Sequence, residues 1–223
     1  MPGCLRFMCH SRPEIMFGVG MVSRFMQEPR HSHLVAAKRI LRYLKGTSRC
    51  QILFASNVHA SSQDSELELV AYIDSDWCGD KVDRRSTMRY VFFLENVPVS
   101  WCSSKQDVVA LSTCEIEYIA ACHTSCQGLW LLSLLKELNQ VHNSGLELYV
   151  DNKSAINLAK NPITHLRSKH IETRFHFLRD QVNKGRVQLI HCSTTEQVAD
   201  VFTKALKTES FQKFKEMLRV VSL

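Results

Sequence analysis

An apolar run that ends in carboxylates, LELVAYIDSD at residues 67–76, is the feature that most restricts how this chain can fold. Apolar residues alternate along it as they do on the buried face of a strand: Leu67, Leu69, Ala71 and Ile73. Ionised carboxylates are costly to place at the end of a buried strand. Asp74 and Asp76 therefore need a partner that offsets their charge, unless they occupy a solvated turn.

Length and composition indicate a globular protein with one sizeable core, because 45% of the 223 residues are hydrophobic and 22% are charged. No segment has the apolar length of a signal-peptide core or a bilayer span. We therefore expect an intracellular protein, cytoplasmic or nuclear, with no membrane partner. The nine cysteines are scattered without a CxxC pair, which favours reduced thiols over a disulfide framework or a zinc site.

The net charge of +6 is unevenly distributed. Lys and Arg outnumber Asp and Glu by nine to two in residues 1–50 and by eight to two in residues 153–190, whereas residues 51–152 carry fourteen acidic and six basic side chains. A basic surface beside clustered acids suits a polyanion held close to a carboxylate-bound divalent metal. The alternative is an ordinary solvated surface.

Helical spacing of apolar residues predicts two short amphipathic helices near the N-terminus, over residues 13–26 and 32–46. The polar, serine-rich segment 56–66 is typical of a linker. We therefore predict two domains, a helical segment at 1–62 and a larger domain at 63–223.

Beyond the linker, the sequence pattern alternates between strands and helices. Strands are predicted at 67–75, 89–95, 97–103, 146–150 and 186–192. Helices are predicted at 112–139, 152–160, 168–184 and about 195–218, and the first begins with a capping box of Ser112 and Glu115. This order predicts an α/β fold with a mixed sheet and helices packed on its faces.

Four acids lie where these elements can converge. Asp74 is near the end of the first predicted strand, and Asp151 directly follows the strand 146–150. Glu117 and Asp200 fall in the second turns of two predicted helices. Each has an ordinary alternative as a turn residue, a helix cap, a surface acid or the partner of a helix dipole. As a set, they predict one site at one edge of the sheet.

Five motifs, in this order, resemble the ribonuclease H domain of copia-type LTR retrotransposon polyproteins, particularly those of plants: DSDWCGDKVDRRST, SSKQDVVALSTCEIEYIAA, LYVDNKSAINLAKNP, RSKHIETRFHFLRDQV and QVADVFTKAL. Two further segments resemble the region that joins reverse transcriptase to that domain: RPEIMFGVGMVSRFMQEP and AAKRILRYLKGT. The resemblance covers almost the whole chain. It implies a ribonuclease H-like fold, a five-stranded mixed sheet flanked by helices, preceded by a short helical remnant of the reverse transcriptase connection.

The resemblance also implies metal-dependent hydrolysis of the RNA strand of RNA/DNA hybrids. The metal-binding acids of the family fall on Asp74, Glu117, Asp151 and Asp200. Such a set holds two Mg²⁺ ions, for which Mn²⁺ can substitute, and the ions offset the mutual repulsion of the carboxylates. The basic block would hold phosphates, with these candidates: Lys153, Lys169, Arg174 and Arg179.

Three departures from the family pattern bear on activity. Met88 and Arg89 stand where family members usually carry Ser-Gly, and the loss of Gly predicts strain at the start of the second strand. His191 lies inside a predicted strand, which favours a structural role over the mobile histidine of cellular enzymes. No Tyr-x-Asp-Asp motif occurs, so we expect no polymerase activity. Asp76 receives no assigned role from the resemblance.

Two functional classes remain open. The intact acids favour a working ribonuclease H. The missing polymerase region and the change at Met88 and Arg89 favour a catalytically silent remnant that binds nucleic acid or protein. A reverse transcriptase domain supplied in trans is a candidate partner, and partly exposed apolar faces on the N-terminal helices predict self-association.

Overall fold

The computed structural model describes residues 2–54, 67–77, 85–140, 145–161 and 169–222. The predicted linker at 56–66 lies outside these ranges. The chain divides into two units. The larger unit is Asn57–Ala199, and the smaller unit consists of Met1–Ser56 and Asp200–Leu223. The predicted boundary between residues 62 and 63 places residues 200–223 in the larger domain, and it stays a prediction.

Along the described chain, three helices come first, four strands follow, and helices and strands then succeed one another to the C-terminal strand. The helices are α1 (Pro2–Met8), α2 (Met16–Ser23), α3 (His31–Gly46), α4 (Thr113–Glu137), α5 (Lys153–Lys160), α6 (Lys169–Asn183), α7 (Asp200–Thr203) and α8 (Thr208–Met217), with a 3-10 turn at Pro13–Ile15. The strands are β1 (Cys50–Ile52), β2 (Leu69–Asp76), β3 (Thr87–Leu94), β4 (Val97–Lys105), β5 (Leu146–Val150), β6 (Val187–His191) and β7 (Val220–Ser222). Among the described residues, no helix combines the length and apolarity needed to cross a membrane.

The smaller unit joins the N-terminal helices to the C-terminal segment. Its apolar core is contributed by α1 and the residue after it, the 3-10 turn, α2 and α3: Leu5, Cys9, Ile15, Val19 and Ala37. Strands β1 and β7 of this unit form an antiparallel pair. The two predicted helices are present as α2 and α3, whereas α1 and the short strand pair were not predicted, because three-residue strands carry almost no periodic signal.

A five-stranded sheet organises the larger unit, in the spatial order β4-β3-β2-β5-β6. Strands β2, β3 and β4 pair antiparallel, whereas β5 pairs in parallel with both β2 and β6. Positive φ angles at Glu95 and Asn96, 49° and 62°, form the tight turn between β3 and β4. Helix-containing crossovers make the parallel pairs. The sequence-based prediction of an α/β fold with a mixed five-stranded sheet is confirmed.

Helix α4 lies against this sheet and carries much of the core. Its buried side chains include Ile116, Tyr118 and Ile119. The hydroxyl of Tyr118 donates a hydrogen bond to the carbonyl oxygen of Phe175 at 2.9 Å, and the two rings pack with centroids 4.2 Å apart. The sheet, α4 and α6 are therefore held together by one buried layer.

The predicted helix at 195–218 is wrong in extent, because two shorter helices, α7 and α8, replace it. The residues before α7 are held by side-chain bonds instead of helical ones. Gln197, fully buried, donates to the carbonyl oxygen of Ile73 at 2.8 Å. Ser193 bonds to both Thr195 and Glu196. Asp200 consequently begins α7 and does not lie in a second helical turn.

Gly128 marks the closest approach of α4 to the sheet. A Cβ at this position would overlap the side chain of Leu146 and lie 2.9 Å from Phe92, and both neighbours are fully buried. Only a residue without a side chain fits here.

We expect Gly128→Ala to destabilise the protein by about 1–3 kcal/mol through overpacking, which exceeds the gain in helix propensity. Gly20→Ala is the matched control, since it lies within α2 with no atom within 4 Å of the added Cβ. That variant should gain up to about 1 kcal/mol. Thermal unfolding measures both, and a stabilised Gly128→Ala variant would contradict the packing described here.

Candidate metal centre

Three of the four predicted acids meet in the larger unit. Carboxylate oxygens of Asp74, Glu117 and Asp151 all lie within 4.8 Å of one another. Asp74 and Glu117 are buried, with 7% and 4% exposure, and Asp151 is half-buried. We call this group the triad.

Strand register brings Asp74 and Asp151 together. Tyr72 of β2 pairs with Tyr149 of β5 in the parallel ladder. Two residues further along each strand are Asp74 and Asp151, so the same alternation places both carboxylates at one edge of the sheet. Parallel pairing is essential, because antiparallel strands would carry the two acids to opposite ends.

Glu117 enters the triad from the second turn of α4. The helix begins at the predicted cap, where Ser112 Oγ accepts a hydrogen bond from the Glu115 N–H at 3.2 Å. Glu115 in turn accepts from the N–H of Leu111 at 2.7 Å. The Oε1 atom of Glu117 accepts a hydrogen bond from the N–H of Ser75, 2.9 Å away in β2. This bond orients one oxygen of the buried carboxylate before any ion arrives.

Asp151 is not a helix cap, although capping was its ordinary alternative. The N-cap of α5 is Asn152, whose side chain accepts hydrogen bonds from the N–H groups of Ser154 and Ala155 at 2.9 and 3.1 Å. The two residues that follow β5 therefore have different roles. Asn152 begins the helix, and Asp151 supplies a carboxylate to the triad.

The donor set fits a hard divalent cation. Three carboxylates offer only oxygen ligands, which Mg²⁺ and Mn²⁺ prefer. Without a cation, three negative charges within 4.8 Å repel one another, and burial weakens their screening by water. A bound cation removes this cost.

An open cleft of about 530 Å³ lies over the triad. Besides the three acids, the residues that line it are Ser75, Trp77, Thr113, Ile116, Asn152, Lys153, Ser154 and His191. Its volume and mixed lining suit part of a polar polymer more than a small apolar ligand.

Two residues of this cleft add to the sequence interpretation. His191, for which a structural role inside a strand was favoured, ends β6 and is exposed at the cleft. Its role stays a prediction. Trp77 is 55% exposed at the cleft and was missed by the sequence analysis. The sequence feature that could have identified Trp77 is its position, three residues after Asp74.

Asp76, which received no role from the sequence, forms an ion pair with Arg89. The guanidinium Nη1 of Arg89 lies 3.5 Å from Oδ2 of Asp76, and Oδ1 of Asp76 accepts a hydrogen bond from the N–H of Thr87. Arg89 is 4% exposed and pairs across the ladder with Asp74, so it lies on the face of the sheet that carries the triad. Neither Met88 nor Arg89 has a positive φ, and the strain expected from the loss of Gly is absent at these two described residues.

The remaining predicted residues lie in different places. Asp200 is buried in the smaller unit, where it pairs with Nζ of Lys204 at 2.6 Å; its membership of the metal site stays a prediction. Lys153 is exposed and lines the cleft. Arg174 and Arg179 are partly buried on α6. Lys169 begins α6, and its side chain lies outside the described part of the structure.

Comparison with solved structures finds ribonuclease H domains. The chain is similar to the N-terminal RNase H domain of a Mycobacterium tuberculosis protein, with a TM-score of 0.46 and 8% identity, over 68% of this chain and 98% of that one. It is also similar to LC11-RNase H1, whose structure was determined in complex with an RNA/DNA hybrid. That match has a TM-score of 0.44 and 11% identity, over 66% of this chain and 98% of that one.

Comparison of sequences finds transposon polyproteins, although no family model matches the chain. It is 40% identical to the retrovirus-related Pol polyprotein from transposon RE1 of Arabidopsis thaliana over 218 residues, 98% of the chain. It is 39% identical to that from transposon TNT 1-94 of Nicotiana tabacum over 208 residues, 93% of the chain. The chain spans 14% and 15% of the length of these two relatives. At this level of identity along nearly all of its length, the chain is homologous to part of the Pol polyproteins of copia-type retrotransposons.

Proposed function

We propose that this chain hydrolyses the RNA strand of RNA/DNA hybrids in a metal-dependent reaction, as the ribonuclease H part of a Pol polyprotein. The triad carries the proposal, because three acids from β2, α4 and the end of β5 meet within 4.8 Å and two of them are buried. The family and the open cleft support it. Charged side chains are seldom buried unless they are paired, so chance convergence of three surface acids is the weaker explanation.

Asp74, Glu117 and Asp151 would hold the metal, and we propose Asp200 as a further ligand from the resemblance alone. The proposed ions are two Mg²⁺, with Mn²⁺ as a substitute, because carboxylate oxygens suit both. When bound, the ions supply Lewis-acid stabilisation of the phosphodiester and an activated water.

The chain's own side chains prepare the cleft for this reaction. The N–H of Ser75 orients Glu117, and the packing of α4 against β2 fixes the spacing of the carboxylates. His191 presents an exposed imidazole that can hold a proton for the leaving oxygen. Lys153 offers a cation to a phosphate, and Trp77 offers an aromatic face to a sugar or base.

A second candidate function is a catalytically silent module that binds nucleic acid. Arg89 favours it, because a buried guanidinium on the face of the triad weakens the attraction of that site for a cation. A reverse transcriptase domain supplied in trans, or a second copy of the chain, remains a proposed partner of either form. Cleavage of a labelled RNA/DNA hybrid in the presence of Mg²⁺ or Mn²⁺ separates the two candidates.

We expect Asp151→Asn to lower hybrid cleavage at least about 100-fold, because it removes one ligand charge. The fold should stay intact, since Asn152 and not Asp151 caps α5. Without metal, the variant should be as stable as the wild type or slightly more stable, because the triad loses one repelling charge. Millimolar Mg²⁺ should raise the melting temperature of the wild type more than that of the variant.

Asp180→Asn is the matched control for this experiment. Asp180 is an exposed acid on α6 that pairs with Lys184 at 2.7 Å. Its replacement should leave both cleavage and the metal-dependent melting temperature unchanged. If the wild type shows neither cleavage nor stabilisation by metal, the catalytic proposal is wrong and the silent module is the better account.

Lys153→Glu should weaken hybrid binding and reduce the slope of log affinity against log salt by about one, as expected for the loss of one phosphate contact. The control is Lys136→Glu, since Lys136 lies on α4 about 28 Å along the helix from Glu117. Fluorescence anisotropy at several salt concentrations, with EDTA to prevent cleavage, measures both slopes. Equal slopes for the two variants would place the phosphate contacts elsewhere.

Trp77→Ala should weaken hybrid binding by about 1–3 kcal/mol if the indole stacks on the nucleic acid. Trp130→Ala removes another exposed indole, 58% accessible and about 20 Å along α4 from Glu117, and should have no effect. The same anisotropy titration tests both. Equal affinities for the wild type and Trp77→Ala would exclude the stacking contact.

A further inference from the structure

The smaller unit carries a large excess of positive charge. Lys and Arg outnumber Asp and Glu by fourteen to five in its sequence, whereas the larger unit has fourteen basic and seventeen acidic residues. Only two of these acids, Glu14 and Glu28, belong to residues 1–56. The excess positive charge of the chain is therefore concentrated outside the unit that contains the triad. A surface of this kind attracts polyanions.

Helix α3 presents part of this charge as a stripe along one side. Lys38, Arg42 and Lys45 are four and three residues apart, so they lie within an arc of about 60° on the helix. The stripe extends about 10 Å at a rise of 1.5 Å per residue. All three side chains are exposed, and within the described part of the chain none of them forms an ion pair or a hydrogen bond. They are therefore available to a ligand.

The opposite side of α3 is packed into the core of the smaller unit. Ala37 is buried in the apolar cluster of that unit, and Ile40, Tyr43 and Leu44 pack against the same cluster. This packing fixes which side of the helix faces solvent, so the stripe cannot rotate inward without opening the core.

A buried ion pair holds the end of α3 next to Lys45. The guanidinium of Arg12 donates to Oε1 of Glu14 at 2.7 Å, and to the carbonyl oxygen and Oγ1 of Thr47, the C-cap of α3, at 3.0 and 2.8 Å. The hydroxyl of Tyr43 also donates to Oε1 of Glu14, at 3.4 Å. Because Arg12 neutralises Glu14 in the interior, that acid does not oppose the positive field of the stripe.

We propose that α3 binds the phosphate backbone of a nucleic-acid duplex through Lys38, Arg42 and Lys45. A B-form duplex carries about one negative charge per 1.7 Å, so a stripe of 10 Å faces about six charges. Ammonium and guanidinium groups that contact phosphate oxygens do not read the bases, so DNA duplexes and RNA/DNA hybrids bind alike. The site needs no metal and does not depend on the proposed hydrolysis.

An anionic lipid surface is the weaker candidate for the same charges. A helix that lies on a membrane needs an apolar face that inserts beside its basic one. The apolar face of α3 is used in the core of the unit. The two leucines beside the stripe, Leu34 and Leu41, are more than half buried, with 41% and 42% exposure. Little apolar surface is therefore left to enter a bilayer.

Binding of a short labelled DNA duplex by the full chain, in EDTA, tests this site. Replacing Lys38, Arg42 and Lys45 together by Gln should leave the fold intact, because all three are exposed and Gln is a good helix former. Fluorescence anisotropy should show that the slope of log affinity against log salt falls by about 2.7, or about 0.9 for each lost contact. Between about 50 and 200 mM salt, the wild-type affinity should then fall about 40-fold more than that of the variant.

A control variant with the same change in net charge replaces three exposed lysines of the larger unit by Gln: Lys136, Lys160 and Lys184. It should keep the wild-type slope. The proposal is wrong if the α3 variant keeps that slope too, if the control variant loses as much, or if the wild type does not bind the DNA duplex. Binding to phosphatidylserine vesicles in place of the duplex, lost in the α3 variant, would assign the stripe to lipid and overturn the proposal as well. Because the DNA duplex contains no RNA strand to cleave, the outcome is independent of whether the triad is catalytic.

Discussion

The parallel pairing of β2 with β5 is the constraint on which the rest of the site depends. It places the ends of two buried strands side by side, so that Asp74 and Asp151 share one edge of the sheet. The chain that connects β2 to β5 passes through β3, β4 and α4, and α4 delivers Glu117. The parallel pairing therefore positions Asp74 and Asp151 directly, and the chain segment that connects the two strands supplies Glu117.

The triad is maintained against its own electrostatics. The three carboxylates repel one another, and the burial of Asp74 and Glu117 costs desolvation free energy. The surrounding core tolerates this arrangement because the ladder register and the bond from Ser75 to Glu117 hold the side chains in place. Such local instability within a stable framework is common at functional sites, where part of the total stability supports the reactive arrangement.

The sequence predicted the sheet and all three acids of the triad because those elements have strong patterns. Alternating apolar residues identify β2, and the cap at Ser112 sets the phase of α4, which places Glu117 in its second turn. The break between α7 and α8 could not be predicted, since it depends on the distant contact between Gln197 and Ile73. The ion pair of Arg89 with Asp76 was equally hidden, because only the strand register shows that the two side chains share a face. Trp77 was missed because exposure cannot be deduced from a single residue beside a turn.

The pairing of β2 with β5 also sets the order of events when the chain folds. Strands β2, β3 and β4 are neighbours in sequence, whereas Val70 pairs with Glu147, 77 positions later. Local hairpins close quickly, and long-range parallel pairing must first pay a larger loop-closure cost. We therefore expect the three carboxylates to come together late, after the antiparallel half of the sheet has formed. A cation that binds only the assembled triad contributes little to the folding transition state, so its stabilisation is expressed mainly as slower unfolding.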